Sequence, residues 1–272
     1  MAASLAALLR LLDLEQLEVD LFRGAAPETQ LQRVFGGQVA GQALVAAGRT
    51  VDVGRHVHSL HAYFLRPGDP NRPIIYEVDR TRDGRSFTTR RVVAVQHGRA
   101  IFTMSASFQT LETGFEHQDP MPATGDPDQL PAPDDPRAQA WSAIDLRVVP
   151  DDDDNPRDQQ VWLRAAGTMP DEALTHVCVL AYASDLTLLS STLGPHAVDR
   201  GDRNLRMASL DHAMWFHRPF RVDDWLLYDQ VSPAAAGGRG LATGRIFTTD
   251  GTLVASVVQE GVVRVKAGLS EG

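Results

Sequence analysis

Apolar and polar residues change period several times along this chain. Leu5, Leu8, Leu9 and Leu12 recur at helical spacing, and the pattern predicts an opening helix over 4–22. Glu28 to Phe35 reads as a polar connection. Phe35-Gly36-Gly37 then opens a second helix to about Val51, rich in alanine and other small residues and suited to close packing. Beyond it the period falls to two. Strand-like runs cover 57–66, 73–80, 85–97 and 99–109, with turns at Pro67-Gly68-Asp69-Pro70, Arg82-Asp83-Gly84 and His97-Gly98. The second half repeats the arrangement. Short strands near 145–149 and 159–166 precede Met169-Pro170-Asp171-Glu172, whose proline and acids suit the first turn of a helix to about Ser191. Strands follow at 207–217, 225–232, 239–249 and 252–265, with turns at Arg221 to Asp224, Gly237-Gly238 and Asp250-Gly251.

The two meanders match each other. Phe64, Arg66, Pro67 and Tyr76 align with Phe216, Arg218, Pro219 and Tyr228 at an offset of 152; Gly84, Arg85 and Arg91 align with Gly238, Arg239 and Arg245 at 154; Gly98 aligns with Gly251 at 153. An offset that drifts only at turns is what a duplicated fold gives. A helix wrapped by an antiparallel meander, present twice, predicts an α+β double hot-dog whose half-sheets join, so that edge strands are paired. The expected organisation is a hot-dog unit over 1–115, a Pro/Asp-rich linker over 116–140 and a second unit over 141–266. Six of the 16 prolines fall in 119–136, which marks that stretch as a linker or long surface loop.

Composition narrows the function classes. A hydrophobic content of 43% supports a sizeable core, and a net charge of −9 argues against nucleic acid as a partner. One cysteine, Cys178, excludes an internal disulfide framework and fits a reducing, cytoplasmic setting. The start lacks the basic and cleavage features of a signal peptide, no apolar run is expected to span a membrane, and the end is not a peroxisomal address. The acidic run Asp151 to Asp154 has no spaced ligand pattern and reads as a solvated loop, so no metal is expected.

Candidate chemistry begins with Met207 to Phe220, M-A-S-L-D-H-A-M-W-F-H-R-P-F. As one strand it places Ser209, Asp211, Ala213 and Trp215 on one face and Leu210, His212, Met214 and Phe216 on the other. On the preceding helix, Cys178, Ala181, Tyr182, Asp185, Leu188 and Leu189 share a stripe. On the last strand Leu253, Ala255, Val257, Gln259 and Gly261 share a face. A carboxylate in an apolar stripe is costly unless paired or used. Singly, Ser209 and Gln259 read as satisfied core polar groups. Together with Asp185 they place three polar side chains from three elements among apolar neighbours in one half. The other half is blander: Gln259 faces Ala106 at an offset of 153.

F-G-G-Q-V-A-G-Q-A-L (35–44), H-S-L-H-A-Y-F-L-R-P-G-D (58–69), Y-A-S-D-L (182–186), D-H-A-M-W-F-H-R-P-F (211–220), W-L-L-Y (225–228) and V-A-S-V-V-Q-E-G (254–261) resemble the acyl-CoA thioesterase II, TesB-like, family over nearly the whole chain. The resemblance implies hydrolysis of fatty acyl-CoA by water without a covalent intermediate. It places the family's catalytic Asp, Thr or Ser, and Gln on Asp185, Ser209 and Gln259, with Ser209 standing where many members have Thr. It implies no metal or redox cofactor, no membrane insertion, and a homo-oligomer, dimer or higher. An oxyanion-stabilising N–H near a helix N-terminus is expected. The alternative is a non-catalytic acyl-CoA-binding protein.

Other signals carry less. Gly268 to Gly272 matches G-x-S-x-G without the strand and helix that a nucleophile elbow needs. Hot-dog hydratases carry a His five residues after the helix Asp; position 190 is Ser. His58 and His61, expected on opposite strand faces, read as channel-lining or as hydrogen-bonded core residues, as do His212 and His217. Arg80, Arg82, Arg85, Arg90 and Arg91 form a basic cluster that suits CoA phosphates or a solvated face. The Gly237-Gly238-Arg239-Gly240 turn resembles a phosphate loop only in composition and reads as a hairpin.

Overall fold

The computed structural model describes residues 2–27, 29, 31–133, 141–150, 158–196, 198, 202 and 204–265. The runs 151–154 and 268–272 lie outside the described residues. Helix α1 (Leu5–Leu12) starts at Ser4, whose hydroxyl accepts from Ala7 N at 3.2 Å. It is shorter than the pattern predicted. Asp13 takes an extended conformation and ends it, and the hairpin β1 (Glu15–Glu18) and β2 (Leu21–Gly24) follows. All four side chains of β1 are exposed, so no alternation marks it as a strand. Strand β2 still has a partner to bind, since Phe22 lies opposite Tyr76.

The helices α2 (Gly36–Gly48) and α3 (Ala173–Ser184) form the centre. The remaining strands are β3 (Arg55–Phe64), β4 (Ile74–Asp83), β5 (Phe87–Gln96), β6 (Arg99–Thr110), β7 (Ile144–Val148), β8 (Asp158–Ala165), β9 (Leu205–Ser209), β10 (Asp211–Phe216), β11 (Leu226–Ala236), β12 (Arg239–Thr248) and β13 (Leu253–Val265). They make one 13-stranded antiparallel sheet in the order β1-β2-β4-β5-β6-β3-β10-β13-β12-β11-β8-β7, with β9 also on β13. Strands β3 and β10 weld the halves, with Asp211 opposite Tyr63 and Trp215 opposite Ser59. This is the double hot-dog: two helices, each wrapped by half of one continuous sheet.

The helices run antiparallel and very close. A Cβ on Gly37 would collide with the Tyr182 carbonyl, and one on Gly48 would lie 2.8 Å from Leu174 Cδ1. Only glycine permits that approach, which explains the small-residue run. A single apolar cluster takes residues from both halves, among them Leu44, Phe102, Leu180 and Val257. Each such large side chain contributes roughly 1.5–3 kcal/mol of burial, so the helix–helix seam is core and not a domain boundary.

Three further expectations change. Helix α3 stops at Ser184, with Asp185 as its C-cap, and a 3₁₀ stretch follows at Leu188–His196. Ser191 and Thr192 hydroxyls there donate to carbonyls three residues back, which competes with α-helical bonding. Ala173–His196, 24 residues with an 18-residue window of mean hydropathy 1.4, is by length and composition apolar enough to cross a membrane, contrary to the sequence expectation; most of that window is buried inside the protein. Finally, the registers place Tyr76 opposite Ala94 and Tyr228 opposite Ile246. Arg90 therefore corresponds to Ala242 and Arg91 to Thr243, not to Arg245 as the sequence offset suggested. The loop after β6 docks on the second half: Trp162 Nε1 donates to Gly125 O at 2.8 Å and Trp225 Nε1 to Asp128 Oδ1 at 3.1 Å.

Candidate active site

Asp185 leaves α3 at its C-terminal end, where a helix dipole disfavours negative charge. Its carboxylate faces instead the N-terminus of α2 from the other half. That terminus has no side-chain cap: Phe35 holds the N-cap position. The Gly37 N–H lies near the Asp185 carboxylate and favours its ionised form, so the carboxylate stands where a cap would. Gly36 makes room, since a Cβ there would lie 2.6 Å from Asp185 Oδ2.

The expected strand 207–217 is broken at Leu210. Ser209 lies opposite Gly261, whereas Ala213 lies opposite Val258, so β9–β10 carries one residue more than β13 between these pairs. This β-bulge reverses the alternation. Ser209 therefore shares the inner face with Gln259 and Gly261, not a face with Asp211, Ala213 and Trp215 as the unbroken pattern predicted.

The three polar side chains meet. Gln259 Nε2 donates to Asp185 Oδ1 at 2.6 Å and to Ser209 Oγ at 2.9 Å, and Ser209 Oγ donates to Asp185 Oδ1 at 3.4 Å. Burial pushes the Asp185 carboxyl up from 3.8 to about 6, against the opposing pull of Gln259, the Gly37 N–H, Ser209 and the more distant Arg33. A carboxylate so placed is ionised at neutral pH yet basic enough to take a proton.

Asp185 and Ser209 open onto a cavity of about 730 Å³. Phe35, Phe64, Phe102, Trp141, Leu186 and Leu189 supply apolar wall, and Arg33 and Arg66 bring positive charge to it. Both arginines are exposed and donate to backbone carbonyls, of Met207 and Ala100.

Other candidates lie elsewhere. His58 bonds Ser107 Oγ at 2.8 Å, and His61 packs edge-on against Trp215. The register of β3 slips between Val57 and Ser59, so the alternation that predicted opposite faces does not hold; neither histidine lines the cavity. His212 is buried against Ser184 Oγ, and His217 bonds Ser256 Oγ. The basic cluster is absent from the cavity lining too. Arg80 pairs with Asp20, and Arg90 is buried on Thr50 and Asp83. Gly237 and Gly238 form the β11–β12 turn. Gly36, Gly37 and Arg33 carried no chemical signal in the sequence; the paired glycines opening a small-residue helix were the nearest hint.

Comparison with known proteins gives the chain its family. Residues 140–262 match the acyl-CoA thioesterase family model, and 25–109 match that of the acyl-CoA thioesterase N-terminal domain. The chain is 43% identical to human acyl-coenzyme A thioesterase 8, over 96% of this chain and 89% of that one. It is 39% identical to acyl-CoA thioesterase 2 of Haemophilus influenzae, over 94% and 96%. The crystal structure of the acyl-CoA thioesterase II TesB2 from Mycobacterium marinum superposes with a TM-score of 0.87 at 53% identity, covering 96% of this chain and 99% of that one. None of these supports binding without turnover. The chain belongs to the acyl-CoA thioesterase family, enzymes that hydrolyse acyl-CoA.

Proposed function

We propose that the chain hydrolyses fatty acyl-CoA by direct attack of water, with Asp185 as general base and Ser209 and Gln259 as the groups that orient it. The observation that carries this reading is the bonding of all three side chains to one another beside an apolar-walled cavity. A water on the open side of the carboxylate attacks the thioester carbonyl and gives its proton to Asp185. First-turn N–H groups of α2 lack intrahelical partners and favour negative charge, so they suit the developing oxyanion. When the tetrahedral centre collapses, the C–S bond breaks and Asp185 returns the proton to the leaving thiolate. The products are the free acid and CoA. The acyl chain occupies the apolar wall, while Arg33 and Arg66 meet the phosphates of CoA.

Neither competing nucleophile is favoured. Burial pushes the Cys178 thiol up, and Cys178 lies within the helix seam. Ser209 has no histidine bonded to it; its neighbours are Gln259 and the Asp185 oxygen. Rapid-quench mass spectrometry during single turnover of a medium-chain acyl-CoA checks this directly. Unmodified enzyme at every time point is expected; an acyl adduct on Ser209, Cys178 or Asp185 sinks the mechanism.

Two coarser matters belong to the same proposal. A free, buried Cys178 suits a reducing, cytoplasmic location. Exposed Tyr63 and Phe87 on the meander strands β3 and β5 suit a homo-oligomer, which sedimentation would reveal.

A further inference from the structure

Strands β9 and β10 pair with the same neighbour in different registers. The extra residue sits at Leu210 and Asp211, which both face Glu260. Leu210 N donates to Glu260 O at 2.9 Å. The Leu210 carbonyl turns the other way, accepting from Phe64 N of the first half at 2.9 Å. Glu260 N–H has thus lost its ladder acceptor. Asp211 Oδ1 replaces that carbonyl, accepting from Glu260 N at 2.7 Å. Glu260 immediately follows Gln259, so the substitute bond lies next to the site.

The consequence follows from the period of a strand. If the register of β10 ran on through β9, Ser209 would face Val262 and point to the outer side of the sheet. With the bulge it faces Gly261 and points at Asp185. We propose that Asp211 is a positioning residue of the hydrolytic site, holding the bulge that turns the Ser209 hydroxyl inward. The proposal rests on the role assigned above to Ser209. What Asp211 supplies is a short acceptor at a fixed distance, not charge.

Steady-state kinetics and pH profiles of Asp211→Asn, Asp211→Glu, Asp211→Ala, Ser209→Ala and the Ser209→Ala/Asp211→Ala double variant test it. Asp211→Asn keeps an acceptor oxygen in place and should stay within about threefold of wild-type kcat. Asp211→Glu keeps the charge but moves the acceptor by one methylene; it should lose kcat about 10- to 100-fold, the usual cost of misplacing a site group by an ångström. Asp211→Ala should lose as much, with KM little changed. Its kcat/KM profile should shift to higher pH, because Ser209 no longer helps hold the Asp185 carboxylate ionised. The double variant should be no slower than Ser209→Ala. An active Glu variant beside an inactive Asn variant overturns the proposal, as do losses that multiply in the double variant. A fully active Ser209→Ala enzyme would sink the Ser209 reading itself, a separate failure. The Asn and Glu pair decides the matter even if Asp211→Ala does not fold.

Discussion

The two halves share one architecture and resolve the same position in opposite ways. In the first half Arg90 lies opposite Ala106; in the second, Ala242 lies opposite Gln259. The large polar side chain has changed strands. Arg90 is fully buried, its guanidinium bonding Thr50 Oγ1 and Thr50 O at 2.9 Å each and Asp83 Oδ1 at 2.7 Å. The helix C-caps differ in the same sense. Arg49, at the end of α2, binds Asp13 at the surface. Asp185, at the end of α3, turns inward. The bulge is present twice, at His58 and at Leu210–Asp211, but only the second aims a hydroxyl at a carboxylate. A duplicated fold can thus use one copy as a filled scaffold and leave the other open for chemistry. The filled copy still contributes, because its helix N-terminus lies against the Asp185 carboxylate, the proposed base of the open one.

Removing the base should break this contrast most completely. Asp185→Asn keeps the volume and should cost roughly 10²-fold or more in kcat/KM, the weight of general-base catalysis. The wild-type kcat/KM should fall as pH drops through about 6, since only the ionised carboxylate accepts the proton. Stability should move the other way. The folded-state value lies above the ordinary one, so the native protein binds more protons between about pH 4 and 6 and loses stability as pH rises through that window. Asp185→Asn should therefore gain about 1–3 kcal/mol at pH 7 to 8 and nothing at pH 4. Thermal melts across pH, alongside kinetics, read both signs. A folded variant with near-full turnover would send the search to another base.

Gln259→Ala makes the second half resemble the first at this position. Asp185 loses its 2.6 Å donor and Ser209 its 2.9 Å donor. Turnover should fall about 10- to 100-fold, and the kcat/KM profile should shift to higher pH because a group that holds the carboxylate ionised is gone. The deleted amide also leaves a void worth roughly 1–3 kcal/mol of stability. Equal activity with an unchanged pH profile would show Gln259 to be mere packing.

The double hot-dog was legible because strand alternation and Gly-containing turns are local signals, present twice. Asp185 and Gln259 were legible because a polar group on an apolar face is itself a local anomaly. What escaped was non-local. The hairpin of β1 and β2 owes its pairing to β4, and its own residues, all exposed on β1, show no period. The bulge at Leu210 is one residue of register, which no alternation pattern reveals until the partner strand is in place. The cap of α2 by Asp185 joins residues far apart in sequence, and only the paired glycines hinted at a close approach. The arginine cluster left two readings open because charge alone does not say which arginine is plugged into a core: Arg90 is, and Arg80, Arg82 and Arg91 stand exposed.

Gly36→Ala tests whether the first half works on the chemistry of the second. Gly36 is the first residue of α2 and its φ is not in the left-handed region, so the backbone itself accepts alanine. The new methyl would lie 2.6 Å from Asp185 Oδ2 and 2.9 Å from the Phe64 ring, and one of them must move. A displaced carboxylate moves away from the Gly37 N–H and loosens its bond to Gln259. About tenfold loss of kcat/KM is expected with a melting temperature within a few degrees of wild type, again with the pH profile displaced upward. Unchanged kinetics would mean that the helix N-terminus is a bystander.

The smallest effect on turnover belongs to the plugged position. Arg90→Ala removes a buried guanidinium and leaves the Thr50 carbonyl and hydroxyl without it in the core. Asp83 sits at the surface and loses little, since water replaces the cation there. Stability should fall by roughly 2–4 kcal/mol, from the void and the lost bonds together. Arg90→Met fills most of the void with apolar volume and should recover part of that loss, as buried ion pairs often tolerate such replacement. In both variants, kcat per folded molecule should stay within about twofold of wild type, because the partners of Arg90, on Thr50, Arg82, Asp83 and Thr89, do not line the cavity at Asp185. Chemical denaturation and kinetics on the same preparations separate the two quantities. If Arg90→Met folds with wild-type stability and yet loses turnover, the filled half is coupled to the reaction through more than the first turn of α2, and the division between scaffold and open copy fails.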